Sequence, residues 1–425
     1  MLATKDQHCI WHPFTQHYTA DAPIVITQAR GAYLVDENGK EYLDLISSWW
    51  VNLHGHAHPY IAKAIAEQAQ RLEHVMFAGF THEPAINLAE CLLQIAPSYD
   101  KVFYTDNGST AIEVALKMAY QFWLNQGQKR AKFVAFTGAY HGDTFGAMAV
   151  GKTSGYYDPF FDLLLEVTFL PYPATWINDD SVDEKEAAAI QSLERYLEDH
   201  AQGTAAIIFE PLIQGASGMH MCRPRFIETV VKRCRQVGVL TIADEIMTGF
   251  GRTGQMLACD TLNGHYPDFL CLSKGITGGF LPLAVTLCTN QIYEAFLGTS
   301  YAKALTHGHS YTANPLACAA ALASWDLFKQ EQTLSKINTL SQAQAHWAEA
   351  LSAVPCVEKC RQQGTILAFN LRNFNPEQLQ KFKRTVIENG LNIRPLGATV
   401  YTLPPYCVTP EQLRSAYVKV IDYIS

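Results

Sequence analysis

Short, almost unbroken apolar runs recur through the middle of the chain, at 102–105, 133–136, 205–209, 239–243, 269–272 and 283–287. Runs that do not alternate with polar residues predict strands buried on both faces, as in a parallel sheet covered by helices. Between them lie stretches with helical spacing, including 110–123 and 226–237. This alternation predicts an α/β fold, with a large domain over 51–315. The charged stretch 180–195 reads as a solvated helix. A further helix is predicted over 315–330, with Pro315 at its first position after Asn314. Residues 316–425 mix amphipathic helices with short strands such as 365–369, which predicts a smaller α+β domain. Residues 1–50 read as an arm belonging to that small domain, with a hairpin turning at Asn38-Gly39. No internal repeat is evident.

Composition narrows the class. The chain has 425 residues and is 48% hydrophobic, enough for a large core. Charged residues make up 17%, below the ~25% of an average domain, which suits large buried elements or a subunit interface. Net charge is −8 and no long basic block occurs, so nucleic acid is not an expected partner. Eleven cysteines are scattered without a CxxC pair and several sit in apolar runs, so free thiols in a reducing compartment are expected. No membrane span and no signal-peptide stretch is read, so the expected location is cytoplasmic.

Two polar residues stand at the ends of neighbouring apolar runs. Asp244 closes Val239-Leu-Thr-Ile-Ala-Asp, and Lys274 follows Phe269-Leu-Cys-Leu-Ser. Either alone reads as an ordinary loop residue. Ligands in open α/β sheets bind at the carboxyl ends of strands, so the pair could clamp the two ends of a pyridine cofactor. The chemistry of pyridoxal 5′-phosphate (PLP) wants both. A buried lysine amine condenses with its aldehyde, and a carboxylate keeps the ring nitrogen protonated. Asp106-Asn-Gly108-Ser109-Thr110 follows a run and opens a helix, a place for a phosphate, although it also reads as a cap with Thr110 and Glu113 as capping box. Tyr140, in Gly138-Ala-Tyr-His-Gly142-Asp143, could stack on a flat ring or simply pack.

Three other patterns compete. Gly146-Ala-Met-Ala-Val-Gly151-Lys152-Thr153 matches a nucleotide-binding P-loop, but stands about ten residues beyond its strand and precedes a poor helix start. Gly249-Phe-Gly251-Arg-Thr-Gly254 matches a dinucleotide fingerprint without a long helix after it. His54-Gly-His56-Ala-His58 has metal-like spacing but no matched acid or cysteine, so structural histidines and no metal are expected.

These residues converge on a family. Asp106-Asn-Gly-Ser-Thr-Ala-Ile-Glu113, Tyr140-His-Gly, Glu210-Pro211, Ala243-Asp-Glu-Ile-Met-Thr-Gly-Phe-Gly-Arg-Thr-Gly254 and Leu272-Ser-Lys274-Gly resemble the class III (ω-type) aminotransferases of PLP fold type I. His12-Pro-Phe-Thr, Ser47-Ser-Trp49-Trp50, His74-Val-Met-Phe77 and Tyr311-Thr-Ala-Asn314-Pro resemble the branch acting in biotin synthesis. The resemblance implies a mostly parallel seven-stranded sheet and a homodimer with shared active sites. It implies transfer of an amino group to 8-amino-7-oxononanoate, with S-adenosylmethionine as donor. Lys274 would carry PLP as a Schiff base and Asp244 would pair with its nitrogen. Gly108, Ser109 and Ser310 of the partner subunit would hold the phosphate. Tyr140 would stack on the ring, with Glu210 nearby. Trp49, Trp50, Arg394, Arg252, Gly308, Asp143 and Phe14 would contact substrate.

The chain departs from the family in places. Phe14 stands where the family often has tyrosine, and Gly308-His309-Ser310 replaces an expected Gly-Pro-Thr. Both bear on the donor, for which lysine is the alternative. Met247 replaces the glutamine of many ω-aminotransferases, which disfavours the ornithine and 4-aminobutyrate branches. Another ω-aminotransferase activity and a P-loop nucleotide-binding protein remain as rival readings.

Overall fold

The computed structural model describes residues 2–151 and 157–425. Its centre is a seven-stranded sheet: β1 (Lys101–Thr105), β2 (Lys132–Phe136), β3 (Val167–Leu170), β4 (Thr204–Phe209), β5 (Leu240–Asp244), β6 (Phe269–Leu272) and β7 (Ala284–Cys288). The spatial order is β1-β7-β6-β5-β4-β2-β3. Only β7 runs against its neighbours. The six runs picked out by sequence all become strands, shifted by a residue at most ends. The seventh, β3, is a short edge strand, only partly buried along most of its length, so no apolar run announces it.

Every residue of β4, β5 and β6 is buried. Successive side chains of a strand point to opposite faces. Ile207, Phe209, Ala243, Leu270 and Leu272 therefore join one core, while Ile208, Ile242, Phe269 and Cys271 join another. The first core is capped by a helix α2 (Pro224–Gln236), through Phe226, Ile227 and Val230. The second is capped by α1 (Gly108–Asn125), through Ile112, Ala115 and Ala119. The predicted helix over 315–330 is α3 (Pro315–Gln330), N-capped by Asn314. It packs on the helices Pro59–Ala69 and Glu83–Ile95 and on the turn Lys274–Thr277.

The C-terminal segment builds a three-stranded antiparallel sheet from Val357–Gln363, Ile366–Leu371 and Thr399–Thr402. The N-terminal hairpin (Tyr33–Asp36 with Glu41–Asp44) turns as expected at Asn38-Gly39, where Gly39 has φ 82°. Its second strand pairs in parallel with Leu391–Asn392, so the two ends of the chain share one sheet.

The competing patterns resolve locally. Gly146 lies in a five-residue helix, Phe145–Ala149, while Lys152 and Thr153 of the P-loop match fall outside the described residues. Gly249–Gly254 forms a succession of turns rather than the start of a helix. The three histidines go to separate partners: His54 to Ser324, His56 to Asp44 and His58 to Glu331. All eleven cysteines are unpaired. Among the described residues no helix is long and apolar enough to cross a membrane.

Candidate active site

A cavity of about 940 Å³ opens at the carboxyl ends of the central strands. Loops after β1, β2, β4, β5 and β6 deliver Gly108 and Ser109, Tyr140 to Asp143, Glu210, Asp244 and Lys274 to its wall. The N-terminal arm adds Phe14, Trp49 and Trp50, and the C-terminal segment adds Arg394 and Tyr401.

Lys274 begins a tight turn with φ 45°, a left-handed conformation unusual for a side chain-bearing residue. Its Nζ lies 4.6 Å from the centroid of the Trp50 ring. The residue is half-buried and lines the cavity. Burial lowers its pKa from 10.5 to about 8, against the opposing pull of Asp244 and Glu210.

Asp244 is buried at the end of β5. His141 Nδ1 donates to its Oδ2 at 2.7 Å, and the Ile246 amide donates to Oδ1 at 3.0 Å. A carboxylate only accepts, so this bond places the proton of His141 on Nδ1. Glu210, in the same wall, accepts from the amides of Tyr140 (3.0 Å) and Gly215 (2.9 Å). Burial raises its pKa to about 7. The Tyr140 hydroxyl donates to Asp143 Oδ2 at 3.0 Å.

The mouth of α1 is shaped by glycine. A Cβ at Gly142 would sit 2.0 Å from Ser109 Oγ, and one at Gly108 2.9 Å from Ile246. The helix is capped by Asn107 with Thr110, so the expected Thr110–Glu113 box does not form. Glu113 instead accepts from the amides of Gly146 and Ala147. The reason is geometric: Asn107 already occupies the capping position, which puts Glu113 one turn too far along.

Trp49 and Trp50 ride on a strained strap. Ser47, Ser48 and Trp50 all have positive φ (51°, 61° and 70°), each costing about 1–3 kcal/mol unless neighbours hold it. Trp50 is buried and its Nε1 donates to the Tyr401 hydroxyl at 3.0 Å. Trp49 is partly exposed. The Phe14 ring meets it edge-on at 5.8 Å, and the Arg394 guanidinium lies 4.5 Å from its centroid.

Arg252, which the resemblance places in substrate binding, is 1% exposed and does not line the cavity. Its guanidinium donates to the carbonyls of Pro404 (2.9 Å), Asn52 (2.8 Å) and Trp50 (3.5 Å). With both terminal nitrogens bonded to backbone carbonyls, it secures the strap. Gly308 and Ser310 are exposed and lie outside the cavity of their own chain. His141 and Tyr401 carried no assigned role in the sequence. The first stood beside the singled-out Tyr140, whereas nothing local marks the second.

A carboxylate, an amine of lowered pKa and a glycine-shaped helix start thus face one cavity, and they suit a pyridine ring, an aldehyde and a phosphate respectively. Comparison with known proteins agrees with that fit. Residues 15–424 match the family model described as aminotransferase class-III. The chain belongs to the class III aminotransferases. It is a PLP-dependent transaminase. It is 49% identical over 420 residues to the adenosylmethionine-8-amino-7-oxononanoate aminotransferase of Synechococcus elongatus, covering 98% of both chains. The crystal structure of the enzyme of that name from Methanocaldococcus jannaschii matches with a TM-score of 0.93 and 34% identity, over 100% of this chain and 98% of the other. An amine transaminase from an uncultivated Pseudomonas species, in a PLP-bound form, matches with a TM-score of 0.89 and 30% identity over 98% of each chain. Within class III, then, the chain sits close to enzymes named for one long-chain keto acid.

Proposed function

We propose that this aminotransferase moves an amino group to the ketone of 8-amino-7-oxononanoate, giving 7,8-diaminononanoate, with S-adenosylmethionine as donor. The observation that carries the substrate reading is the wall that leads from Lys274 over Trp50 and Trp49 to Arg394. A nine-carbon acid has a run of methylenes to desolvate, each worth ~0.8 kcal/mol when buried. The indoles supply that surface, and the Arg394 fork suits the carboxylate at the far end.

Bound PLP supplies an electron sink for the charge left when a substrate carbon loses its proton. Lys274 would hold it, and its amine, with a pKa lowered by burial, is suited to take up and return that proton. Asp244 would keep the ring nitrogen protonated, and His141 fixes the carboxylate. Gly108 and Ser109 would hold the phosphate, joined by Ser310 of the partner subunit. Tyr140 would stack on the ring, and Glu210 pins the Tyr140 backbone. Asp143 and Phe14 border the substrate space, as does Gly308 of the partner subunit. The working unit is a cytoplasmic homodimer. Phe14 offers no hydroxyl to the donor amine, which keeps lysine as a second donor reading.

The test is a donor and acceptor panel on purified protein, with visible spectra. S-adenosylmethionine alone should bleach the cofactor band, and the oxononanoate should restore it with ping-pong kinetics. Activity with lysine only would replace the donor. No product from the oxononanoate with any donor would refute the acceptor.

A further inference from the structure

We propose that Asp44 is a positioning residue that sets the spacing between Trp49 and Arg394, and through it the length of acceptor the enzyme prefers. This rests on the reading of Arg394 as the anchor for the far carboxylate. Asp44 is completely buried and touches neither cavity nor cofactor space. Its Oδ2 accepts from the Ser48 amide at 2.6 Å and from His56 Nε2 at 2.9 Å. Its Oδ1 accepts from the Ile46 amide at 3.2 Å and from Asn392 Nδ2 at 2.9 Å. Ser48 immediately precedes Trp49, and Asn392 stands two residues before Arg394 on the paired strand. One carboxylate therefore holds both halves of the Trp49–Arg394 pair. The strap needs such a hold, because its left-handed backbone at Ser47, Ser48 and Trp50 has no local preference to maintain it. Arg252 grips the strap at Trp50 and Asn52 but makes no bond to the Arg394 segment. The Leu45 amide donates to the Asn392 carbonyl at 3.2 Å and fixes the ladder itself, while the Asp44 carboxylate ties the strap beyond it, through Ser48, to the Asn392 side chain.

Asp44→Asn disturbs five bonds at once, the Ser48 hydroxyl's at 3.5 Å included, and endangers the fold, so Asn392→Ala, which removes one, is the deciding variant. Binding of straight-chain carboxylates of seven, nine and eleven carbons to the PLP-loaded enzyme is measured by calorimetry, alongside steady-state kinetics. Wild type should bind nonanoate best, and better than nonanamide. Asn392→Ala should weaken nonanoate by about tenfold to a hundredfold and flatten the length preference. KM for the oxononanoate should rise in step, with kcat, the donor half-reaction and Tm nearly unchanged. An unaltered length preference overturns the proposal, as does a proportional fall of both half-reactions together with Tm. Wild type that binds nonanoate and nonanamide alike overturns the Arg394 reading itself, and this proposal with it.

Discussion

Removing PLP leaves Lys274 as a free amine whose titration can be followed directly. Burial lowers its pKa from 10.5 to about 8. At neutral pH that makes about a tenth of the amine neutral, against about one part in three thousand at the ordinary value, a gain of roughly 300-fold in nucleophile. Competitive acetylation of apoprotein across the pH range, read by peptide mapping, gives the midpoint of this one lysine. The midpoint should fall near 8. Asp244→Asn should lower it further, because that carboxylate favours the cation, and Arg252→Met should raise it. The same shift acts on stability. Between about 8 and 10.5 the unfolded chain binds a proton that the folded chain has shed, so stability rises with pH across that window. The gain is at most about 3 kcal/mol, since water in the open cavity screens part of the charge. A midpoint near 10.5 would refute the claim that the pocket activates this amine by burial.

Glu210 shows the opposite slope. Its folded pKa is raised from 4.5 to about 7, so the folded chain holds the extra proton and stability falls by about 3 kcal/mol as pH climbs between those values. Urea melts of Glu210→Gln at both ends of that window should show a shallower fall than wild type, and an equal fall would remove this assignment. Gly142→Ala forces a Cβ to 2.0 Å from Ser109 Oγ at a φ of 125°, so PLP retention in equilibrium dialysis should drop by about 1–3 kcal/mol. Unchanged retention would show that Ser109 is not where the phosphate sits. Arg394→Lys keeps the charge but loses the planar face on Trp49. KM for the oxononanoate should rise about tenfold while donor kinetics hold. Equal loss in both half-reactions would argue against a role confined to the acceptor.

Much of this protein is written locally. The unbroken apolar runs predict β4, β5 and β6 because a strand buried on both faces needs no polar alternation. Asp244 and Lys274 stand out because charged residues directly after such runs must emerge at one edge of the sheet. Helix α3 begins at Pro315 for reasons contained in its first residues. What no local pattern holds is the choice of partner for a polar side chain. Arg252 looks like a substrate contact until the strap and Pro404 close around it. Trp50 meets Tyr401 from 351 residues away. His141 finds Asp244, and Asp44 ties Ser48 to Asn392, only once separate loops converge. A buried donor or acceptor takes whichever partner the packed chain brings within reach, and that is decided by the tertiary structure rather than by neighbours in sequence.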